Sequence, residues 1–214
     1  MLSMKLKNRI RVAIDSPSAA GAGSLAKLIS RHYSLTYLDT GKIYRLIGKI
    51  YLENPKKFSY TLVRKITKNL NLKKLQDKKL LSDEVAEAAA IVAKDKKIRQ
   101  QILGFQRKIA YSSSSCLDGR DICSHVVKDA HFKFYITANV KIRARRRFKE
   151  LKKFGRKVQY SDVLKKIKKR DRADRSRAVS PLVFTKGSRL INNSKLSIKD
   201  GFLKIKRIMD EKLK

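Results

Sequence analysis

A loop of small residues near the start of the chain is the first feature whose residue types could do chemistry. It follows the predicted strand residues Val12, Ala13 and Ile14, and the segment after it, LAKLISRHY, has helical spacing. Small residues let backbone N–H groups turn inward around phosphate oxygens, and the following helix N-terminus adds partial positive charge. The sequence therefore predicts a phosphate-binding loop made of Ser16, Pro17, Ser18, Ala19, Ala20, Gly21, Ala22, Gly23 and Ser24.

Two residues of this loop depart from the G-x-x-x-x-G-K pattern of phosphate-binding loops. Ser16 stands where the pattern has its first glycine, and Ala22 stands where it has its lysine. That lysine would supply a cation to the transferring phosphoryl group, a contribution of several kcal/mol. Taken alone, the loop fits equally well a phosphate cradle and a strand-to-helix turn built from small residues for packing.

Two aspartates follow short predicted strands. Asp118, in the motif DGRDI, is a candidate to organise magnesium directly or through water, as the second acidic element of phosphate-loop enzymes does. The alternative for Asp118 is an Asx turn at a strand end. Asp15 has the same alternative, and we interpret it as a structural bracket rather than as a ligand.

Arginines lie inside several of the chain's motifs. Arg45 lies in YLDTGKIYR, Arg120 in DGRDI and Arg177 in RDRADRSRAVSPL. A guanidinium group offers phosphate a bidentate fork and a permanent charge, so a monophosphate can be held by arginines from different segments. For each arginine alone, the solvated face of a helix is the competing interpretation.

The elements that must position these residues alternate along the chain. Helix-period segments follow most of the short apolar runs, which predict strands over residues 10–14, 36–38, 115–117, 132–137 and 189–191. This order predicts an α/β fold with a parallel core sheet and right-handed helical crossovers.

Two segments interrupt this alternation of strands and helices. The Lys-rich interval over about residues 53–111 contains no convincing strand and predicts a helical insert over the substrate site, with Ser82 or Asp83 as an N-cap. Residues 140–154 and 161–177 predict two basic helices with a turn at Gly155 between them.

The motifs YLDTGKIYR, DGRDI and RDRADRSRAVSPL, together with ITANVKIRARRRFKEL, closely resemble those of the cytidylate kinase family. These are the bacterial CMP and dCMP kinases among the nucleoside monophosphate kinases. The resemblance runs from about Arg11 to Leu203 and is weakest in the insert. It implies a three-layer P-loop NTPase fold, ATP as the phosphoryl donor, Mg²⁺ as cofactor, and CMP or dCMP as acceptor. It also implies one kinase domain over residues 1–214, with a core at 10–52, 112–140 and 178–214, a helical acceptor-binding insert at about 53–111, and an Arg-rich lid at about 141–177.

The resemblance also implies a role for each candidate residue. It places Arg45, Arg120 and Arg177 at the acceptor phosphate. It places near the sugar Thr40, Arg170 and Asp174, and near the cytosine ring Arg99 and Asp121. For magnesium it implies Asp118 and Ser24, whose hydroxyl replaces that of the family's threonine. In the lid, one or two of the cluster Arg143, Arg145, Arg146 and Arg147 would neutralise the transferring phosphate. We take as catalytic Arg146, Arg120, Arg177 and Asp118.

The chain departs from the family pattern at further positions. Cys123 and Ser124 replace a Gly-Thr pair, and Ala90 stands where the resemblance places a serine near the base. The missing loop lysine leaves three interpretations open. They are weakened activity, compensation by a nearby lysine such as Lys27 or Lys42, and an inactive nucleotide-binding relative.

Composition and charge limit the classes of function that the chain can have. The chain has 214 residues, 42% of them hydrophobic, and no apolar run near the ~18 residues of a membrane span, so we expect a soluble, monomeric globule without a membrane partner. A formal charge of +36, from 54 Lys and Arg against 18 Asp and Glu, raises a further hypothesis, a basic nucleic-acid-binding protein. Lysine pairs are spread over nearly the whole chain and an aromatic stacking pattern is absent, so we expect no specific nucleic acid.

The cysteines lack the spacing of a metal site, and the N-terminal segment lacks the pattern of an export signal. Cys116 and Cys123 lack CxxC spacing and have only scattered histidines to help them, so we expect buried or bystander thiols rather than a metal site. The basic segment MLSMKLKNRI leads into a short strand instead of an apolar leader, which predicts a cytoplasmic location.

Overall fold

The computed structural model describes residues 9–213 and shows a parallel five-stranded sheet. Its strands are β1 (Arg11–Asp15), β2 (Thr36–Asp39), β3 (Ser115–Gly119), β4 (Phe132–Thr137) and β5 (Arg189–Asn192). They lie in the order β2-β3-β1-β4-β5, so β1 is central. The five predicted strands and the α/β fold are confirmed. Residues 1–8, on which part of the cytoplasmic expectation depended, lie outside the described residues.

Helices connect the strands and cover the sheet. They are α1 (Ala22–His32), α2 (Gly41–Glu53), α3 (Tyr60–Lys68), α4 (Asp83–Val92), α5 (Lys96–Ser112), α6 (Val140–Lys153), α7 (Tyr160–Ser176) and α8 (Ile198–Leu213). Among the described residues, none of these helices is long and apolar enough to cross a membrane.

The sheet separates two apolar cores because successive side chains of a strand point to opposite faces. In β1, Val12 and Ile14 pack into one core with Leu25 of α1. Ala13, between them, packs into the other core with Ile102 of α5. The molecule therefore has three layers, with the sheet between two layers of helices.

The carboxyl ends of the parallel strands meet at one edge of the sheet. In the register, Asp15 lies opposite Gly119 of β3 and Tyr135 of β4, and Asp39 lies opposite Asp118. Ligands of open α/β sheets bind outside this edge. The predicted phosphate-binding loop begins here, directly after β1.

The interval between β2 and β3 is helical, as predicted, and no strand occurs in it within the described chain. Ser82 is the N-cap of α4, because its hydroxyl accepts the Val85 N–H at 3.2 Å. The segment from Ser82 to β3 forms two helices, α4 and α5. Asp95 begins the second one, since its carboxylate accepts the Ile98 N–H at 3.0 Å.

The predicted pair of basic helices is present as α6 and α7. They pack on each other around a small core formed by Ala144, Leu151, Val163 and Ile167. The link between them contains Gly155 with a left-handed φ of +71°, which confirms the predicted turn. We call α6, α7 and this link the lid.

The two cysteines are free and buried, as expected. Cys116 lies in β3, and Cys123 lies in a short π-helical turn over Ile122–Val126. Burial raises the pKa of both thiols well above the ordinary range, so neither is a reactive thiolate.

Candidate active site

The predicted phosphate-binding loop joins the end of β1 to the start of α1. Gly21 precedes the helix with a φ of +88°. Ala19 also has a left-handed φ, +58°, a conformation that costs a non-glycine residue about 1–3 kcal/mol. The N–H groups of Ala22, Gly23 and Ser24 lie in the first turn of α1, where a helix has no acceptor of its own. The loop can therefore offer N–H groups and a helix dipole to an anion.

The lid holds the first half of this loop. The Ser18 N–H donates to Asp171 Oδ1 at 3.2 Å, and the Ser18 carbonyl accepts from Arg143 Nη1 at 2.8 Å. Arg143 and Asp171 also form an ion pair at 2.6 Å. Asp171 was not among the predicted site residues, because one aspartate in so charged a helix carries no pattern of its own. One N–H group of the loop thus has a protein carboxylate as its partner.

Asn193 and Arg146 hold the second half of the loop. Asn193 Nδ2 donates to the Ala20 carbonyl at 2.9 Å, and the Asn193 carbonyl accepts from Arg146 Nη2 at 2.7 Å. Arg146 was predicted as a lid residue, whereas no sequence pattern indicated Asn193, which follows β5. The side chain of Ala22 is only 4% exposed and packs in the apolar core with Leu25. Position 22 therefore supplies packing and no charge.

Asp118 faces the first turn of α1 from β3. Its Oδ1 accepts the Tyr37 hydroxyl at 3.0 Å, and its Oδ2 lies 3.4 Å from the point where a Cβ on Gly23 would be. The same turn carries the exposed residue Ser24. Burial and then the charge of Asp39 raise the pKa of Asp118 above its ordinary value. A cation bound at this carboxylate would favour its ionised form.

The donors at this position suit Mg²⁺. This ion prefers oxygen ligands and usually binds through one or two carboxylates, with waters and substrate phosphates completing its coordination. Within residues 9–213, no group of three or more His, Cys, Asp or Glu side chains could form an all-protein metal cage. A single carboxylate, Asp118, facing the turn of α1 that carries Ser24 fits the magnesium mode.

Asp15 forms a bracket at the end of β1. Its carboxylate accepts the N–H groups of Ile122 at 2.6 Å and Cys123 at 3.0 Å. Burial is the largest cause that raises its pKa, to about 6. These bonds tie the segment after β3 to β1, which agrees with the structural role expected for Asp15.

Three arginines surround Asp174 of α7. Arg120 Nε donates to Asp174 Oδ2 at 3.0 Å, and Arg170 Nε donates to the same oxygen at 3.3 Å. Arg177 Nη1 lies 3.8 Å from the other oxygen. Burial raises the pKa of Asp174, but these arginines outweigh that effect and hold the pKa below its ordinary value. The fold thus brings together four predicted site residues from two distant segments.

A second ion pair adjoins this group. Arg99 of α5 donates to Asp121, and both side chains are buried. The guanidinium carbon of Arg99 lies 5.3 Å from the centroid of the Tyr44 ring. Arg177 Nη2 lies 3.7 Å from Asp121 Oδ1 and so joins the two groups. We call this set the arginine cluster, and its members are Arg99, Arg120, Arg170, Arg177, Asp121 and Asp174.

The arginine cluster carries an excess of positive charge. Its four guanidinium groups face two carboxylates, which leaves two positive charges without a protein counter-charge inside the cluster. Arg177 Nη2 and Arg99 Nε are also buried without a hydrogen-bond partner among the described residues. The cluster is therefore suited to bind a small dianion.

Two predicted acceptor residues lie outside this cluster. Arg45 donates through Nη1 to the Leu80 carbonyl at 2.7 Å, at the junction of α2 with the insert. Thr40 donates its hydroxyl to the Asp118 carbonyl at 2.8 Å and joins β2 to β3. The structure thus gives both side chains partners within the protein, which sequence motifs alone did not indicate.

The lid also contacts the insert directly. Arg147 of α6 pairs with Asp83 at 3.3 Å, and Lys166 of α7 pairs with Glu87 at 3.1 Å. Arg170 donates to a carbonyl group of α4 at 3.4 Å. The lid therefore contacts α4, and its helix α7 contributes Arg170 and Asp174 to the arginine cluster.

Comparison with known proteins identifies the family. The family model described as "Cytidylate kinase" matches residues 12–211. The chain belongs to the cytidylate kinase family. The cytidylate kinase of Bartonella bacilliformis is 37% identical over 209 residues, which cover 97% of each chain. That of Brucella suis is 37% identical over 204 residues, 94% of this chain and 93% of the relative.

A solved structure shares the fold of this cytidylate kinase family member. It is an uncharacterized protein from Eubacterium ventriosum, with a TM-score of 0.56 and 16% sequence identity. The match covers 94% of this chain and 99% of that one. At this identity the likeness concerns the fold alone, a parallel sheet between helical layers. Membership of the cytidylate kinase family makes this chain a phosphotransferase.

Proposed function

We propose that the protein transfers the γ-phosphoryl group of ATP to CMP or dCMP and forms ADP with CDP or dCDP. The observation that carries this proposal is the excess of two positive charges in the arginine cluster. A phosphate monoester carries about −1.5 to −2 charges at pH 7 and accepts bidentate arginine contacts. Two members of the cluster, Arg170 and Asp174, lie on the lid that also holds the phosphate-binding loop through Arg143 and Asp171.

The residues of the cluster, with Arg45 and Thr40 from outside it, contact different parts of the acceptor. Arg120 and Arg177 bind the acceptor phosphate, and Arg45 contributes charge from the edge of the insert. Arg170, Asp174 and Thr40 lie toward the sugar. Arg99 and Asp121 recognise cytosine, since a carboxylate accepts from its exocyclic amine and a guanidinium donates to its acceptor atoms.

The donor phosphates bind at the loop formed by residues 16–24. Its N–H groups and the N-terminus of α1 face the phosphates. Asp118 and Ser24 would hold Mg²⁺, which when bound neutralises charge on the donor phosphates. The support for this position is the oxygen donor set at the first turn of α1 and the absence of any competing metal cluster within residues 9–213.

The transfer needs no covalent enzyme intermediate. A phosphate oxygen of CMP attacks the γ-phosphorus of ATP in line and forms a new P–O bond. The bond from that phosphorus to the β–γ bridging oxygen breaks, and its electron pair remains on ADP. Because the acceptor is an ionised phosphate, no general base is required. The protein supplies positioning and charge neutralisation.

An ADP-release assay tests this proposal. The protein with ATP and Mg²⁺ is offered CMP, dCMP, UMP and AMP in turn, and an ATP-only reaction is the control. We expect ADP to form with CMP or dCMP above the control. No ADP with any pyrimidine monophosphate, for a folded protein, would contradict the proposed kinase function.

A catalytically weakened or inactive nucleotide-binding protein is the second candidate. The observations that favour it are Ala22 in place of the loop lysine and the Asp171 carboxylate on the Ser18 N–H. We expect slow turnover that rises when Ala22→Lys restores the cation. If neither form produces ADP but both bind CMP in an equilibrium titration, the nucleotide-binding function replaces the kinase function.

A further inference from the structure

Strand β5 forms an uncovered edge of the sheet. It pairs with β4 and is the last strand in the order, so within the described chain it has no partner strand on its other side. Three of its four residues, Arg189, Leu190 and Asn192, are exposed. The strand at the opposite edge, β2, has no exposed residue. An edge strand presents unpaired N–H and C=O groups, to which a further strand can bond.

The free main-chain groups of this edge belong to Leu190 and Asn192. The Asn193 N–H, just beyond β5, donates to the Thr137 carbonyl of β4 at 2.7 Å. Successive residues of a strand direct their main-chain groups to alternate sides. Ile191 therefore bonds β4 in the same way as Asn193. The N–H and C=O groups of Leu190 and Asn192 face away from β4.

An exposed apolar patch lies beside this edge. Leu190 is 54% exposed and Phe184 is 56% exposed. The Phe184 ring packs edge-on against Tyr135 of β4, with the ring centroids 5.7 Å apart. Tyr135 is the register partner of Leu190, and the side chains of paired residues lie on the same face of a sheet. Phe184 and Leu190 therefore lie together on one face of the free edge, and exposed Val183 adjoins Phe184 in the chain.

The charges that accompany β5 along the chain are all positive. Lys186, Arg189 and Lys195 are exposed, and none of them forms an ion pair among the described residues. No acidic residue occurs over positions 175–199. Arg189 adjoins Leu190 in the strand, so its side chain lies on the opposite face. The edge thus has an apolar face and a basic face.

We propose that β5 is a docking edge for another protein, which adds an extended segment of alternating apolar and acidic residues to the sheet. The apolar residues of this segment pack on Phe184 and Leu190, and its acidic residues lie on the face of Arg189. Main-chain hydrogen bonds to Leu190 and Asn192 hold it, as in other cases of strand addition. A second copy of this chain does not complement the charge, because each copy carries +36. No residue of the arginine cluster takes part, so this role is separate from phosphoryl transfer.

Fluorescence anisotropy with labelled peptides tests the docking edge. The probe is a capped peptide of alternating valine and glutamate, offered to the full chain at about 0.15 M salt. We expect it to bind roughly tenfold more tightly than a peptide of the same length that alternates proline and glutamate. Both peptides carry the same charge, but proline cannot donate a main-chain hydrogen bond to a strand. A peptide that alternates valine and lysine should not bind detectably.

Two substitutions in β5 locate the binding. Leu190→Pro removes the outward N–H and an apolar side chain, and proline is tolerated where the N–H of an edge strand faces solvent. We expect the affinity for the valine-glutamate peptide to fall roughly tenfold. Arg189→Glu should lower it by roughly as much and should raise the affinity for the valine-lysine peptide, because it reverses the charge of that face. Arg64→Glu, an equal change of charge at an exposed position of α3, is the control and should alter both affinities about twofold at most.

Three results would overturn the inference. The first is equal affinity for the valine-glutamate and proline-glutamate peptides, or no binding of either, because the charged surface alone would then account for any attraction. The second is binding that neither Leu190→Pro nor Arg189→Glu changes, which would place the peptide elsewhere on the protein. The third is a dimer in sedimentation that the valine-glutamate peptide dissociates, which would make a second copy the occupant. If circular dichroism shows that Leu190→Pro does not fold, the change of peptide preference on Arg189→Glu decides.

Discussion

At the scale of single residues, burial separates the site arginines from the many solvated cations. The Arg177 side chain is 9% exposed and lies between Asp121 and Asp174. Arg175, on the same turn of chain, is exposed. Both lie in the same motif, so their types and spacing do not distinguish them. The directions of the two side chains at the end of α7 distinguish Arg177 from Arg175.

We expect Arg177→Met to weaken CMP binding by roughly 10- to 100-fold, because it removes charge-assisted contacts to phosphate worth about 1.5–3 kcal/mol. Cytidine has no phosphate and should lose little affinity. Arg175→Met is the matched control and should leave both affinities within about twofold. Equal losses for CMP and cytidine in an equilibrium titration would show that Arg177 does not contact the acceptor phosphate.

Asp15 gives a prediction about stability and pH. Its folded-state pKa is raised from 3.8 to about 6, chiefly by burial, so the folded protein binds this proton more tightly than the unfolded chain. The stability that Asp15 contributes is therefore highest below pH 3.8 and falls as pH rises to about 6, by roughly 3 kcal/mol.

Asp15→Asn removes this titration. We expect the variant to be less stable than the natural chain at pH 4.5, because an amide oxygen replaces only one of two acceptors for Ile122 and Cys123. The difference should narrow by about 2 kcal/mol between pH 4.5 and pH 7.5, because the unfolded chain is already largely ionised at pH 4.5. Urea unfolding of both proteins at the two pH values measures it. A difference that stays constant would contradict the raised pKa.

At the scale of elements, α2 and α4 approach each other closely at Gly48. A Cβ there would lie 2.6 Å from the Ala89 backbone nitrogen and 2.9 Å from the Ala88 carbonyl carbon. Backbone cannot move aside as a side chain can. The insert that carries α4 therefore depends on this glycine for its distance from the core.

We expect Gly48→Ala to lower the free energy of unfolding by roughly 1–3 kcal/mol, the usual cost of overpacking. Gly104→Ala is the matched control, since Gly104 lies within α5 and a Cβ there meets nothing within 4 Å. It should stabilise the protein by about 0.5–1 kcal/mol through helix propensity. Chemical denaturation measures both, and equal effects would contradict the close packing of α2 on α4.

At the scale of the whole molecule, the formal charge of +36 is spread over many elements. Exposed lysines lie on helices as distant in sequence as α3, α7 and α8. This distribution favours weak attraction to polyanions. It provides no single surface that could recognise a nucleic-acid sequence. Several of the ion pairs that do form lie in the lid and the arginine cluster.

We expect weak, sequence-independent binding to DNA and RNA that collapses as salt rises, because scattered lysines release counterions without contacting bases. Fluorescence anisotropy with two unrelated oligonucleotides, between low salt and about 0.2 M, measures this dependence. Tight binding to only one of them at the higher salt would instead favour a nucleic-acid function.

The sequence by itself determined the elements and the family. Strand and helix periods depend on neighbouring residues, so β1 to β5, the helical insert and the turn at Gly155 could be predicted from local pattern. The motifs around Asp118 and Asp174 identified the family because each is a short contiguous run. The roles of the individual site residues remain predictions.

Only the tertiary structure decided which side chains hold the phosphate-binding loop. Asp171 bonds Ser18 from 153 residues away, and Asn193 bonds Ala20 from 173 residues away. Such contacts arise when the lid and the segment after β5 pack against the loop, and no local pattern encodes them. Packing of α2 on the insert turned Arg45 toward Leu80, and packing of the lid left one Arg146 nitrogen without a hydrogen-bond partner among the described residues. The phosphate-binding loop, in which Ser16 and Ala22 depart from the expected pattern, is therefore held by residues distant in sequence.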